Sequence, residues 1–65
     1  MKTAYDLLMT APDTQETRAR IVYKAVAENR YEDAAFTLRA AANEETGEWS
    51  KDAAELADWL ERNAA

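Results

Sequence analysis

Seven carboxylates crowd the last third of this chain: Glu44, Glu45, Glu48, Asp52, Glu55, Asp58 and Glu61. Only Lys51 and Arg62 oppose them there. Residues 43–65 therefore carry the whole net charge of −5, while the six acids and six bases of residues 1–42 cancel. Trp49 and Trp59 lie in the same segment. Carboxylates in this number could do three kinds of chemistry: paired acid–base catalysis, coordination of a hard cation, or electrostatic contact with a basic surface. Catalysis needs a cleft that drives two carboxyl pKa values apart, and a 65-residue chain offers too thin a core to build one. There is no histidine and no cysteine, so the commonest general base, the thiol nucleophile and the thiolate metal ligand are missing. Ser50, the sole serine, has nothing to activate it. The expectation is a protein that is not an enzyme and uses no cofactor.

The remaining two chemistries separate on spacing and sign. Glu44, Glu45, Glu48 and Asp52 are hard oxygen donors, but no twelve-residue calcium loop surrounds them. They read as a solvated acidic turn and helix face, with no metal site. Direct nucleic-acid binding requires clustered Lys and Arg, against a pI near 4.5 here. The only basic stretch, Arg18, Arg20, Lys24 and Arg30, is interleaved with acids and is expected to pair with Glu16, Glu28 or the last helix. What remains is contact with a basic partner. Complementary potential speeds encounter, and aromatic anchors add contact energy.

Helices must position these groups, because helix formers dominate and only one proline and one glycine interrupt them. Thr3 can cap a first helix with Asp6 in the reciprocal position, and Pro12 ends it. Asp13, with Glu16 three residues on, opens a second helix whose inner face would be Ile21, Val22, Ala25 and Val26. Asn29 and Arg30 read as a tight turn, the alternative being one continuous bent helix. Tyr31, Ala34, Ala35, Leu38, Ala41 and Ala42 share the inner face of a third helix. Gly47 breaks the chain again and can take positive φ without steric cost. Ser50 is the expected cap of the last helix, with Trp49 and Ala54 as a hydrophobic staple and Ala53, Leu56, Ala57 and Leu60 inside. The predicted helices run over about 4–10, 14–29, 31–42 and 51–62, fraying over 63–65. The fold class is all-α: one domain forming a small three- to four-helix bundle, with a short N-terminal helix, a central antiparallel hairpin and an acidic C-terminal helix.

Within that hairpin, Ile21, Ala34, Leu38 and Ala41 recur at the spacings of the large, small, large and small positions of a tetratricopeptide unit, and Tyr31 stands where its second helix opens with an aromatic. Residues 18–42 thus resemble one such helical pair, with the last helix as a cap. The resemblance implies peptide or protein binding. Arg18 departs from the family's aromatic, Val22 from its glycine, Ala25 from its tyrosine and Thr46 from its proline, and there is a single copy.

Three aromatics fall off the inner faces. At 100° per residue, Trp59 lies about 105° from the centre of the buried stripe. It either folds over the edge of the core or stands as an anchor among carboxylates. Phe36 lies roughly 140° from the inner face of its helix, and Tyr23 is off the main face of the second. Coverage of both by Tyr5, Leu8 and Met9 of the first helix is the expected arrangement, the alternative being an exposed apolar patch.

The functional expectation is a small acidic protein-binding module. It would inhibit or regulate a partner by masking a basic, nucleic-acid-handling surface, as small acidic proteins of phages and mobile elements often do. The contact residues would be Glu44, Glu45, Glu48, Trp49, Asp52, Glu55, Asp58, Trp59 and Glu61. The alternative is a homo-oligomeric scaffolding domain. No apolar stretch is long enough for a signal peptide or a membrane span, so no membrane partner and a cytoplasmic location are expected.

Overall fold

The first helix begins where a local side-chain interaction supplies its orphan backbone groups, and the other three start without a side-chain cap. The computed structural model describes residues 1–64, so the expected fraying at position 65 lies outside the described residues. Helices α1 (Ala4–Met9), α2 (Glu16–Ala27), α3 (Tyr31–Glu44) and α4 (Glu48–Asn63) follow in order, with one 3-10 turn, Asp13–Gln15, before α2. At the start of α1 the capping box closes: the Asp6 amide donates to Thr3 Oγ1 at 3.1 Å, and the Thr3 amide donates to Asp6 Oδ2 at 3.1 Å. Asp13 does not open α2. It opens the 3-10 turn, and α2 starts at Glu16 without a side-chain cap.

The turn between α2 and α3 is a Schellman arrangement. Asn29 takes φ +61°. The Arg30 amide then reaches back to the Ala25 carbonyl at 2.8 Å, and the Asn29 amide reaches the Val26 carbonyl at 3.0 Å. Asparagine tolerates this left-handed conformation better than most residues, so the chain reverses within three residues and α3 runs back along α2.

The second reversal corrects the reading of Ser50. Gly47 has φ +97° and is itself the residue before α4, which starts at Glu48, three residues earlier than expected. Ser50 lies inside the first turn, where its Oγ donates to the Ala42 carbonyl at 2.6 Å. It thus satisfies a carbonyl near the end of α3 rather than an amide at the start of α4. With the helix start moved, Trp49 and Ala54 no longer occupy staple positions.

Helix α3 packs on both α2 and α4, and α1 lies against α2 and α4, closing a four-helix bundle. Its core is thin: Leu7, Val22, Leu38, Leu56 and Leu60 are the large members, and the rest is alanine from all four helices. Every residue expected on the inner face of α4 is buried, and so are the five of α3 that follow Tyr31. The expected face of α2 is rotated. Ala19, Val22 and Ala25 are buried, Val26 is half-buried, and Ile21 is 48% exposed. Ala19, three residues before Val22, shares the inner face, and Ile21 lies about 100° round the helix from Val22, so it falls off that face.

Candidate protein-docking face

The nine acidic and aromatic residues expected to meet a partner fall into two sets. Five of them have internal work. The side chain of Gln15 is fully buried. Its Nε2 donates to Glu44 Oε1 at 3.1 Å and to Glu45 Oε2 at 2.9 Å, while its Oε1 accepts from Arg18 Nη1 at 3.1 Å. Arg18 also pairs with Glu44 at 2.9 Å, and Thr14 Oγ1 donates to Glu45 Oε2 at 2.8 Å. Glu44 and Glu45 therefore fasten the 3-10 turn to the end of α3. Arg18 and then Gln15 hold the Glu44 carboxyl below its ordinary pKa.

On the flank of α4 that faces α3, Arg39 Nη2 bonds Asp58 Oδ1 at 2.7 Å and Glu61 Oε1 at 2.8 Å. These bonds lower the Asp58 pKa and raise that of the guanidinium. Trp49 is half-buried, and its Nε1–H donates to the Leu7 carbonyl at 3.0 Å, pinning the start of α4 to α1. The remaining bases of the basic stretch pair locally, Arg20 with Glu16 and Arg30 with Glu28 and Asp33.

Four residues remain, and they form a line. Glu48, Asp52, Glu55 and Trp59 follow one another at spacings of four, three and four, which places them within about 60° on one side of α4 and along roughly 16 Å of its axis. Glu48 and Glu55 are exposed and Asp52 is half-buried. Among the described residues none of the three carboxylates has an ion pair or a side-chain hydrogen bond. Lys51 and Arg62 flank the line on its outer side without closing an ion pair to it. Trp59, at the end of the line, folds over the edge of the core, with its ring centroid 5.7 Å from that of Tyr31. The indole is half-buried.

In comparisons with family models, curated proteins and solved structures, no match to this chain emerges. The α2–α3 pair is a helical hairpin, and its likeness to a tetratricopeptide unit rests on the residue spacings alone. Among the described residues no three acidic side chains converge to hold a metal ion, and no helix is long and apolar enough to cross a membrane.

Helix α1 does not cover Phe36 as expected. Tyr5 of α1 meets Tyr23 of α2 at 6.2 Å between ring centroids, yet both stay substantially exposed, and Phe36 is 81% exposed. Six residues make α1 only about 9 Å long, and it lies on α2 and α4, while Phe36 projects from the outer side of α3. Gln15 is the structural residue that sequence periodicity misses. It is a polar residue in a turn, and its partners lie about thirty positions away.

Proposed function

We propose that the chain is a protein-binding module whose acidic line on α4 docks on a basic surface of a partner protein and masks it. The observation that carries this reading is the alignment of Glu48, Asp52 and Glu55, unpaired, with Trp59 at their end. Charges already bonded within the fold attract a partner weakly, because their field is compensated locally. Unpaired carboxylates on one helix face project a field that steers a cationic surface, and a partly desolvated indole adds contact energy that slows departure. A surface that ordinarily holds nucleic-acid phosphates has the complementary sign, which makes inhibition of a nucleic-acid-handling protein the specific form of the proposal.

The test begins with a partner captured from host lysate and then measures association kinetics. Reversing Asp52 and Glu55 to lysine should slow association by about tenfold or more at low salt, and the difference should shrink as salt rises. Glu32→Lys, an exposed unpaired carboxylate of α3 off the line, should have little effect. Equal effects from both variants, or association that ignores salt, would remove α4 from the interface.

Phe36 favours a second reading, self-association, because a large aromatic at 81% exposure on α3 lacks any cover within the chain. Light scattering across concentration decides it: a mass that doubles in the native protein and not in Phe36→Ser supports a scaffolding role through α3.

A further inference from the structure

The outer face of α3 sets an uncovered aromatic between an unpaired acid and an arginine with unused donors. Phe36 is the most exposed large apolar side chain among the described residues. Glu32 stands one turn before it, exposed and without an ion pair among the described residues. Arg39 stands just under one turn after it. Both bonds that Arg39 makes, to Asp58 and Glu61, use Nη2. A guanidinium also carries N–H groups on Nε and Nη1, and these remain for another acceptor. At 100° per residue, Glu32 lies about 40° and Arg39 about 60° from Phe36, both on the same side of it. Along the axis they stand about 6 Å before and about 4.5 Å after Phe36. Asp33, already bonded to Arg30, lies about 60° to the opposite side.

Building on the self-association reading, we propose that this face of α3 packs antiparallel against the same face of a second copy, about a two-fold axis passing beside Phe36. An isologous contact must be self-complementary, with residue i meeting j and j meeting i. A two-fold axis perpendicular to the helices reverses position along the axis and keeps the side. Glu32 of each copy therefore comes opposite Arg39 of the other, with an axial offset of about 1.5 Å. Phe36 meets its own counterpart at the centre, an aromatic pair flanked by two Glu–Arg contacts. The parallel alternative keeps axial position and exchanges the sides, which sets Glu32 against Asp33 of the second copy. Like charges placed together disfavour that arrangement, so charge selects the antiparallel register. The acidic line lies on the flank of α4 away from α3, and this dimer leaves it free to meet a basic surface.

Sedimentation equilibrium at low salt, over a range of concentrations, tests the register by exchanging charges. The native protein should dimerise and Phe36→Ser should not. Glu32→Lys sets cation against cation and should weaken the dimer by about tenfold or more. Arg39→Glu sets acid against acid and should weaken it similarly. Mixed in equal amounts, these two variants should associate about as tightly as the native protein, because both contacts of the mixed pair again join opposite charges. Arg39 also holds Asp58 and Glu61, so circular dichroism first checks that Arg39→Glu is folded. If it is not, Glu32→Lys combined with Arg39→Gln replaces the mixture: the repulsion is gone, and association should recover several-fold over Glu32→Lys alone. A Phe36-dependent dimer that ignores Glu32→Lys, or that no folded combination restores, would overturn the antiparallel register while self-association through α3 stands. A dimer tightened by Glu32→Lys would assign the parallel register, where the new cation meets Asp33, and overturn the proposal too. A native protein that stays monomeric at every concentration would overturn both the register and the self-association reading.

Discussion

The two flanks of α4 carry similar numbers of carboxylates and use them in opposite ways. Toward α3, Asp58 and Glu61 share Arg39, and the charge is spent on holding two helices in register. On the other flank, Asp52 and Glu55 close no ion pair among the described residues, and Trp59 lines an open groove. The same contrast separates the tryptophans: Trp49 donates its N–H inside the fold, whereas Trp59 meets Tyr31 at a tilt of 51° and is half-buried. Net charge alone does not distinguish these flanks. Pairing does, because a compensated carboxylate contributes little field at a distance. The acidic excess of the last third is therefore partly mortar and partly surface.

The severest challenge to the comparison is removal of the core that holds both flanks in place. Leu38→Ala and Leu60→Ala should each cost about 2–5 kcal/mol, since both side chains are almost wholly buried. A domain this small has little stability in reserve, so either variant should broaden or abolish the cooperative urea transition. Wild-type transitions in both would mean that the packing described for α3 and α4 is wrong. Next in size is the contrast between tryptophans. Trp49→Phe leaves the Leu7 carbonyl without its donor and should cost about 1–2 kcal/mol. Trp59→Phe, which loses no hydrogen bond, should cost less. The reverse order in thermal melts would show that Trp59, and not Trp49, is the structural one.

Much of this architecture was readable from residue spacing. The inner faces of α3 and α4 follow from Leu38, Leu56, Leu60 and their alanines at helical intervals, and the Thr3–Asp6 box and the Asn29 turn follow from local chemistry. Readings failed where a residue's partner is distant in sequence. Ser50 looks like a cap because serine usually is one, but the bond it makes is to Ala42 across the Gly47 turn. Ile21 looks internal because it is large and apolar, yet the buried face of α2 runs through Ala19, Val22 and Ala25 instead. The acidic segment points to α4 for the candidate site, but it does not separate paired carboxylates from free ones. Which carboxylates are free depends on where Arg18 and Arg39 reach, and no periodicity encodes that.

Acid titration sharpens the comparison further. Thr3 hydrogen bonds hold the Asp6 carboxyl below its ordinary pKa, Arg18 does the same for Glu44, and Arg39 for Asp58. A carboxylate whose folded pKa lies below its unfolded value contributes fully above the unfolded pKa and loses that contribution as pH falls through the folded one. Urea midpoints should therefore be flat from about pH 6 to 8, where no histidine titrates. They should begin to fall below about pH 5 and continue falling beneath the ordinary carboxylate range. A midpoint that rises on acidification would mean that relief of repulsion among the unpaired carboxylates outweighs the paired ones.

The smallest expected effect is the most diagnostic. Asp52→Asn with Glu55→Gln removes charge from the open flank, where no bond within the fold is broken, so stability should stay within about 0.5 kcal/mol of wild type. Reduced repulsion along α4 could place the change on the stabilising side. Asp58→Asn with Glu61→Gln removes the same charge from the flank that holds Arg39. It should lower the melting midpoint by less than Trp49→Phe does, and added salt should shrink the loss because the pair is exposed enough to be screened. Combining each double variant with Arg39→Met completes the argument. Residues in one network couple and residues that share no partner add, so Arg39→Met should be non-additive with the Asp58/Glu61 change and additive with the Asp52/Glu55 change. Coupling of Arg39 to Asp52 and Glu55 would show that the open flank is also tied into the fold, and its carboxylates would no longer stand apart as a docking surface.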